Sequence, residues 1–151
     1  MLKASGNYLP FDYSNLTNAM GPADNGQPYM IELETLIKAN PDYFFIDSIG
    51  LSDCIASING YILDGTGLEE VSAISHDRIY STMVYKCYGT NWENQLINTY
   101  FVASKVNGES YTWIFEEKAN EILHLFHPHA TITYSDIVDG QTGSGCAKVS
   151  R

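Results

Sequence analysis

The chain is poor in basic side chains and has no long apolar run and no paired cysteine motif. Each absence excludes something. Eight Lys and Arg stand against 18 Asp and Glu, a formal net charge of −10, and such a surface repels phosphate backbones instead of releasing their counterions. Nucleic acid is therefore not an expected partner. No run of about 18 apolar residues is present, so no membrane-spanning helix is expected. The opening residues, MLKASGNYLPFDYSN, lack the apolar core of a signal peptide, and the chain as written reads as cytoplasmic. Cys54, Cys87 and Cys146 form no C-x-x-C pair, which speaks against a disulfide framework and a thiolate zinc site. Small buried hydrophobes are the plain reading, with a Cys54–Cys87 bridge left open. There is no H-E-x-x-H, G-x-S-x-G or P-loop, and no G-x-G-x-x-G after a strand, so an enzyme is not expected.

What is present is globular composition. With 151 residues, 44% hydrophobic and 17% charged, the chain can hold one domain that removes roughly two-thirds of its unfolded surface from water. Residues 1–28 carry Gly6, Pro10, Gly21, Pro22 and an Asp24-Asn25-Gly26 turn signal without sustained periodicity, and read as loop with one short helix. Ile31, Leu33, Leu36 and Ile37 approximate a helical face over about 31–39, which Asn40-Pro41-Asp42 stops. The apolar runs YFFIDSIG (43–50) and RIYSTMVY (78–85) read as strands buried on both faces of a parallel sheet. The residues between them, with Gly60, Gly65 and Gly67, supply an irregular segment and a short helix near 67–74, making a β-α-β unit. Thr90 with Glu93 forms a capping box, so a helix is expected from about Asn91, ending at Val106-Asn107-Gly108. A further helix spans 111–126, with Trp113, Ile114, Ala119, Ile122, Leu123 and Phe126 inward and Pro128 as its stop. The α/β body is thus placed at 29–137 and a flexible tail at 138–151.

In open parallel sheets ligands sit beyond the carboxyl ends of the strands. Asp47 and Ser48 leave the first strand there, and Tyr85, Cys87, Tyr88, Asn91 and Trp92 leave the second. These aromatics either finish the core beneath the loop or face a ligand. His124, His127 and His129, with Asp136 nearby, have spacings compatible with zinc, which gives the alternative reading of a metal-binding or metal-dependent hydrolytic domain. Against it, no general base is placed by the sequence, and helix-end histidines also suit the helix dipole.

The ordered set NYLPFDYSNLTNA, ETLIKANPDYFFIDSIGL, EEVSAISHDRIYSTMVYKCYGTNWENQLINTYFVASKV and FEEKANEILHLF, covering residues 7 to about 126, resembles the C-terminal lobe of the extracytoplasmic solute-binding proteins of ABC importers for iron–siderophore, haem, cobalamin and related ligands. The resemblance implies a Rossmann-like three-layer α/β lobe with a short, mostly parallel sheet, half of a class III bilobal binding protein. The first lobe, its leader and the connecting helix have no counterpart here, so the chain is expected to be a C-terminal portion of such a receptor or a remnant reading frame.

The resemblance places ligand-facing side chains at Tyr85, Tyr88, Asn91 and Trp92. It gives a second wall from Gln27, Tyr29 and Tyr8, and a floor from Asp47 and Ser48. It implies that Glu34, with Glu32 as the alternative, meets arginines of the importer's permease; a solvated first-turn glutamate is the plainer reading of that residue. The expected ligand is a ferric siderophore, haem, cobalamin or an oxyanion such as molybdate, with no cofactor and no catalysis. The full-length parent is expected outside the cytoplasm, as a periplasmic or surface-anchored protein. An isolated lobe lacking a strand would leave backbone groups unpaired, so a second copy of the chain is a candidate partner, giving a homodimer.

Overall fold

β3 (Phe44–Asp47) and β4 (Ile79–Thr82) lie parallel, paired from Phe44 opposite Ile79 to Asp47 opposite Thr82. The computed structural model describes residues 2–21, 27–86, 88–107, 112–140 and 145–151. Because strand side chains alternate, Phe44, Ile46 and Ile79 enter one apolar cluster and Phe45 and Tyr80 the other. Each face is covered by helices. On the first, α2 (Leu33–Ala39), α3 (Leu51–Leu63) and α4 (Ser72–Ser75) contribute Leu36, Ile58 and Ile74. On the second, α5 (Trp92–Val106), α6 (Thr112–Phe126) and α7 (Tyr134–Gly140) contribute Ile97, Phe101, Phe115, Leu123 and Tyr134. The fold is mixed α/β around a small sheet.

Asn40-Pro41-Asp42 does more than stop a helix. Asn40 takes the left-handed conformation (φ 44°) that closes α2, and its Oδ1 accepts from the Ser72 N–H at 2.8 Å. The Pro41 carbonyl accepts from Ala73 N–H at 2.9 Å, and the Asp42 carboxylate from the Ser72 hydroxyl at 2.8 Å. Three consecutive residues thus tie the entry to β3 onto α4.

Five expectations are corrected. The segment after Ser48 is not irregular: a 3-10 turn (Ser48–Gly50) leads into the thirteen residues of α3, whose buried face uses Ile55, Ile58 and Ile62 at helical spacing. Residues 1–28 contain β1 (Leu2–Ala4), antiparallel to β2 (Tyr29–Ile31), as well as α1 (Leu9–Tyr13) with Pro10 in its first turn. The described residues of the expected tail, 138–140 and 145–151, are not loose. β5 (Ala147–Lys148) runs antiparallel to β4, Val149 is buried, and its N–H donates to the Ile79 carbonyl at 2.9 Å. Tyr134 completes that closure, its hydroxyl donating to the Cys146 carbonyl at 3.2 Å and accepting from the Cys146 N–H at 2.8 Å. Finally, α5 is capped by Asn91 and not by Thr90: Asn91 Oδ1 accepts from the Asn94 N–H at 2.9 Å. Phe126 was expected inward but is 41% exposed at the end of α6; the side chain of Trp113 lies outside the described residues.

Cys54 and Cys146 carry free thiols; Cys87, and with it the bridge to Cys54 left open by the sequence, lies outside the described residues, as does Gly108. Among the described residues no helix is long and apolar enough to cross a membrane.

Candidate functional site at the carboxyl edge of the sheet

After Thr82 the chain leaves β4 and is caught at once by α5. Asn98, fully buried, binds the Met83 main chain, and the Asn94 side-chain amide donates to the Val84 carbonyl at 2.7 Å. The Asn91 N–H then donates to the Tyr85 carbonyl at 2.7 Å. Between them, an isolated antiparallel bridge joins Lys86 to Thr90.

Tyr88 lies between the two bridged residues in sequence. Its φ is +57°, a conformation that costs a side-chain-bearing residue roughly 1–2 kcal/mol, and its ring is fully exposed. Trp92, the first residue of α5, is 54% exposed beside it in sequence. Two large aromatic surfaces therefore flank the amino end of a fifteen-residue helix, whose dipole places partial positive charge there. Tyr85 turns back: its half-buried ring packs 5.4 Å from that of Tyr8.

Asp47 and Ser48 hold the floor at the end of β3. The Asp47 carboxylate accepts from the Ile49 N–H at 2.9 Å, and burial raises its pKa, an effect which that N–H partly offsets. Ser48 donates to the Thr82 carbonyl, joining the two strand ends. Tyr8 is 8% exposed, seated edge-on against Phe11 at 4.9 Å, and its hydroxyl has no hydrogen-bond partner among the described residues. Burial pushes this phenol strongly upward, with the Thr82 hydroxyl working the other way, and Tyr85 and Asp47 are among its electrostatic neighbours.

The expected residues thus divide. Tyr8, Tyr85, Asp47, Ser48, Asn91 and Trp92 gather at one edge with Tyr88 above them. Of these, Asn91 and Ser48 spend their polar side chains on the protein's own backbone. Tyr29 lies on the β1–β2 ribbon and its hydroxyl donates to the Met20 carbonyl; Gln27, just before it, is exposed. Glu34 sits exposed in the first turn of α2, with Glu32 exposed immediately before that helix. His127 Nε2 lies 3.4 Å from Glu93 Oε1, while His124 and His129 are exposed nearby in sequence. Among the described residues, no three His, Cys, Asp or Glu side chains converge as metal ligands.

One feature escaped the sequence. α1 lies along α5, with the Ser14 hydroxyl 3.4 Å from the Thr99 carbonyl, and the two leave an open groove of about 400 Å³ lined by Tyr13, Leu96, Thr99, Tyr100 and Ala103. Trp92, Leu96 and Tyr100 are spaced i, i+4, i+8 along α5, and the last two line this groove. The i+4 spacing was visible, but its facing partner, Tyr13, belongs to a segment with no periodicity.

Compared with known proteins, the chain matches no family model and no curated protein sequence.

Proposed function

We propose that this chain is a solute-binding lobe, Rossmann-like in form, of an ABC importer's receptor, taking an iron–siderophore or a related metal chelate or oxyanion. The observation that carries the reading is the pair Tyr88 and Trp92. A protein that buries Tyr8, Phe101 and Phe115 leaves these two rings in water, one of them in a strained backbone conformation, at the edge where α/β sheets take ligands. Exposed, pre-positioned aromatic faces suit a flat macrocycle or an aromatic chelate, and they cost little conformational entropy on binding.

The reading involves no chemistry on the ligand. Ser75 Oγ lies 3.2 Å from His76 Nδ1, but both residues are exposed and the imidazole nitrogen also meets the Ser72 carbonyl at 3.0 Å, away from the aromatic edge. Glu34, with Glu32, is the proposed contact with the permease, and the parent receptor is proposed to work outside the cytoplasm.

Tryptophan fluorescence titrated with ferric siderophores, haem, cobalamin and molybdate tests the proposal. Saturable quenching by one of them, abolished in Trp92→Ala, is the expected result. Unchanged emission with every ligand, with binding absent by dialysis, would remove the reading.

A further inference from the structure

β3 ends the sheet with one flank open. Among the described residues its ladder partner is β4 alone. Along a strand, successive residues turn their main-chain groups to opposite sides. The Phe44 N–H donates to the Arg78 carbonyl at 3.0 Å, and the Ile46 carbonyl accepts from the Thr82 hydroxyl at 3.4 Å, so Phe44 and Ile46 face β4. The N–H and C=O groups of Tyr43, Phe45 and Asp47 therefore point the other way, and among the described residues they have no hydrogen-bond partner. Helices cover the faces of β3, where Phe11 meets the Phe45 ring at 5.7 Å. The strand nonetheless stays half-buried along its whole length, while Ile79, Ser81 and Thr82 of β4 are at most 3% exposed.

The two outer strands are built differently. β5, on the far side of β4, has two residues and carries Lys148, a short and charged edge of the kind that discourages further pairing. β3 has no lysine, proline or bulge within Phe44–Asp47. Its unpaired main chain is a template for one more strand.

The edge is complementary to itself. When it is laid antiparallel to a second β3 about a two-fold axis at Phe45, the outward residues of the two copies coincide. The two Phe45 residues exchange both main-chain bonds, and Tyr43 does the same with the partner's Asp47. Moving the axis to Phe44 or Ile46 forfeits one of these pairings. Charge agrees with this register. The Asp47 carboxylate accepts from the Ile49 N–H and the Arg78 guanidinium lies 5.2 Å from the Tyr43 ring centroid, but among the described residues neither has an ion-pair partner. Setting Tyr43 opposite the partner's Asp47 brings these two unpaired charges together at both ends of the strand pair. The neighbouring acids are already engaged, Asp42 by the Ser72 hydroxyl and Asp77 by Lys148. On the other face, Phe44 stands across from the partner's Ile46, apolar against apolar. We infer that this chain forms a two-fold dimer by antiparallel pairing of β3 with β3 of a second copy, which joins the two small sheets into one. The inference does not depend on the receptor reading.

Sedimentation equilibrium of the full chain over a range of concentrations, with amide hydrogen exchange followed by NMR at both ends of that range, tests it. Dimerisation is expected, with the Phe45 and Asp47 amides protected in the dimer and exchanging fast in the monomer, while those of Phe44 and Ile46 stay protected in both. Asp47→Arg should weaken the dimer about tenfold, Arg78→Asp likewise, and the two together should restore it. A monomer at every concentration overturns the inference, and protection of Phe45 and Asp47 in that monomer would mean that the edge is covered within one copy. A dimer in which those two amides exchange freely also overturns it and assigns the contact to another surface, such as the groove of Tyr13 and Tyr100. Failure of the paired charge exchange to restore association overturns the Asp47–Arg78 contact and with it the register.

Discussion

The side-chain amide of Asn98 closes on the main chain of Met83 from both sides, accepting from its N–H at 2.9 Å and donating to its carbonyl at 2.9 Å. A strand that has run out of ladder partners is thereby continued onto a helix, and the direction in which the chain departs toward Tyr88 is set.

Replacing Asn98 with alanine leaves two buried main-chain groups unpaired. The expected loss is about 3 kcal/mol of unfolding free energy, read from urea denaturation. A change below about 1 kcal/mol would mean that water replaces the amide and that the pair does not fix the strand end.

Tyr88→Gly relieves the left-handed backbone between Lys86 and Thr90 and removes an exposed ring. Stability should rise by about 1 kcal/mol, while ligand-dependent quenching of tryptophan disappears. A loss of stability would show that the ring packs in solution and is not held out for a partner.

Tyr8→Phe deletes a buried hydroxyl that has no hydrogen-bond partner of good geometry among the described residues. The midpoint of thermal unfolding should hold or climb, by about 1 kcal/mol of stability, and ligand affinity should fall. Such opposite signs separate a binding group from a packing group, since a purely structural tyrosine would lose both or neither.

Thr133 and Asp136 form a reciprocal cap at the start of α7, with Asp136 accepting from the Thr133 N–H at 2.8 Å and from its hydroxyl at 2.6 Å. These bonds hold the carboxyl below its ordinary value of 3.8. A carboxylate with a depressed folded pKa contributes stability above the unfolded value and loses it as pH falls through the folded one. Wild type should therefore exceed Asp136→Ala in stability at neutral pH, with the gap shrinking well below pH 3.8; a gap independent of pH would exclude the charge as its source.

Legibility followed the range of the interactions. β3 and β4 were visible as short apolar runs because both faces of each are covered, and α2 and α6 because period and stop signals agreed. α3 was hidden by Gly60 and by Ser52, Ser57 and Asn59, which mimic loop composition, though Ile55, Ile58 and Ile62 kept helical spacing. β5 has two residues and pairs with a strand 66 positions away, which no local pattern encodes. At the candidate site, Tyr88 and Trp92 were identifiable by residue type and position. Asn91 and Ser48 were not separable from them by that means, because the need of a helix start and a strand end for hydrogen-bond partners appears only once the backbone is placed.

The late position of β5 constrains how this protein is made. Ile79 through Thr82 can pair with β3 soon after synthesis, but their other flank stays open until residues 147–149 have emerged, 66 positions after Ser81 in the case of Ala147, and Tyr134 cannot lock onto Cys146 before its partner exists. Throughout that interval the nascent chain carries an unfinished apolar strand, and chaperone engagement or capture by a neighbouring chain competes with closure.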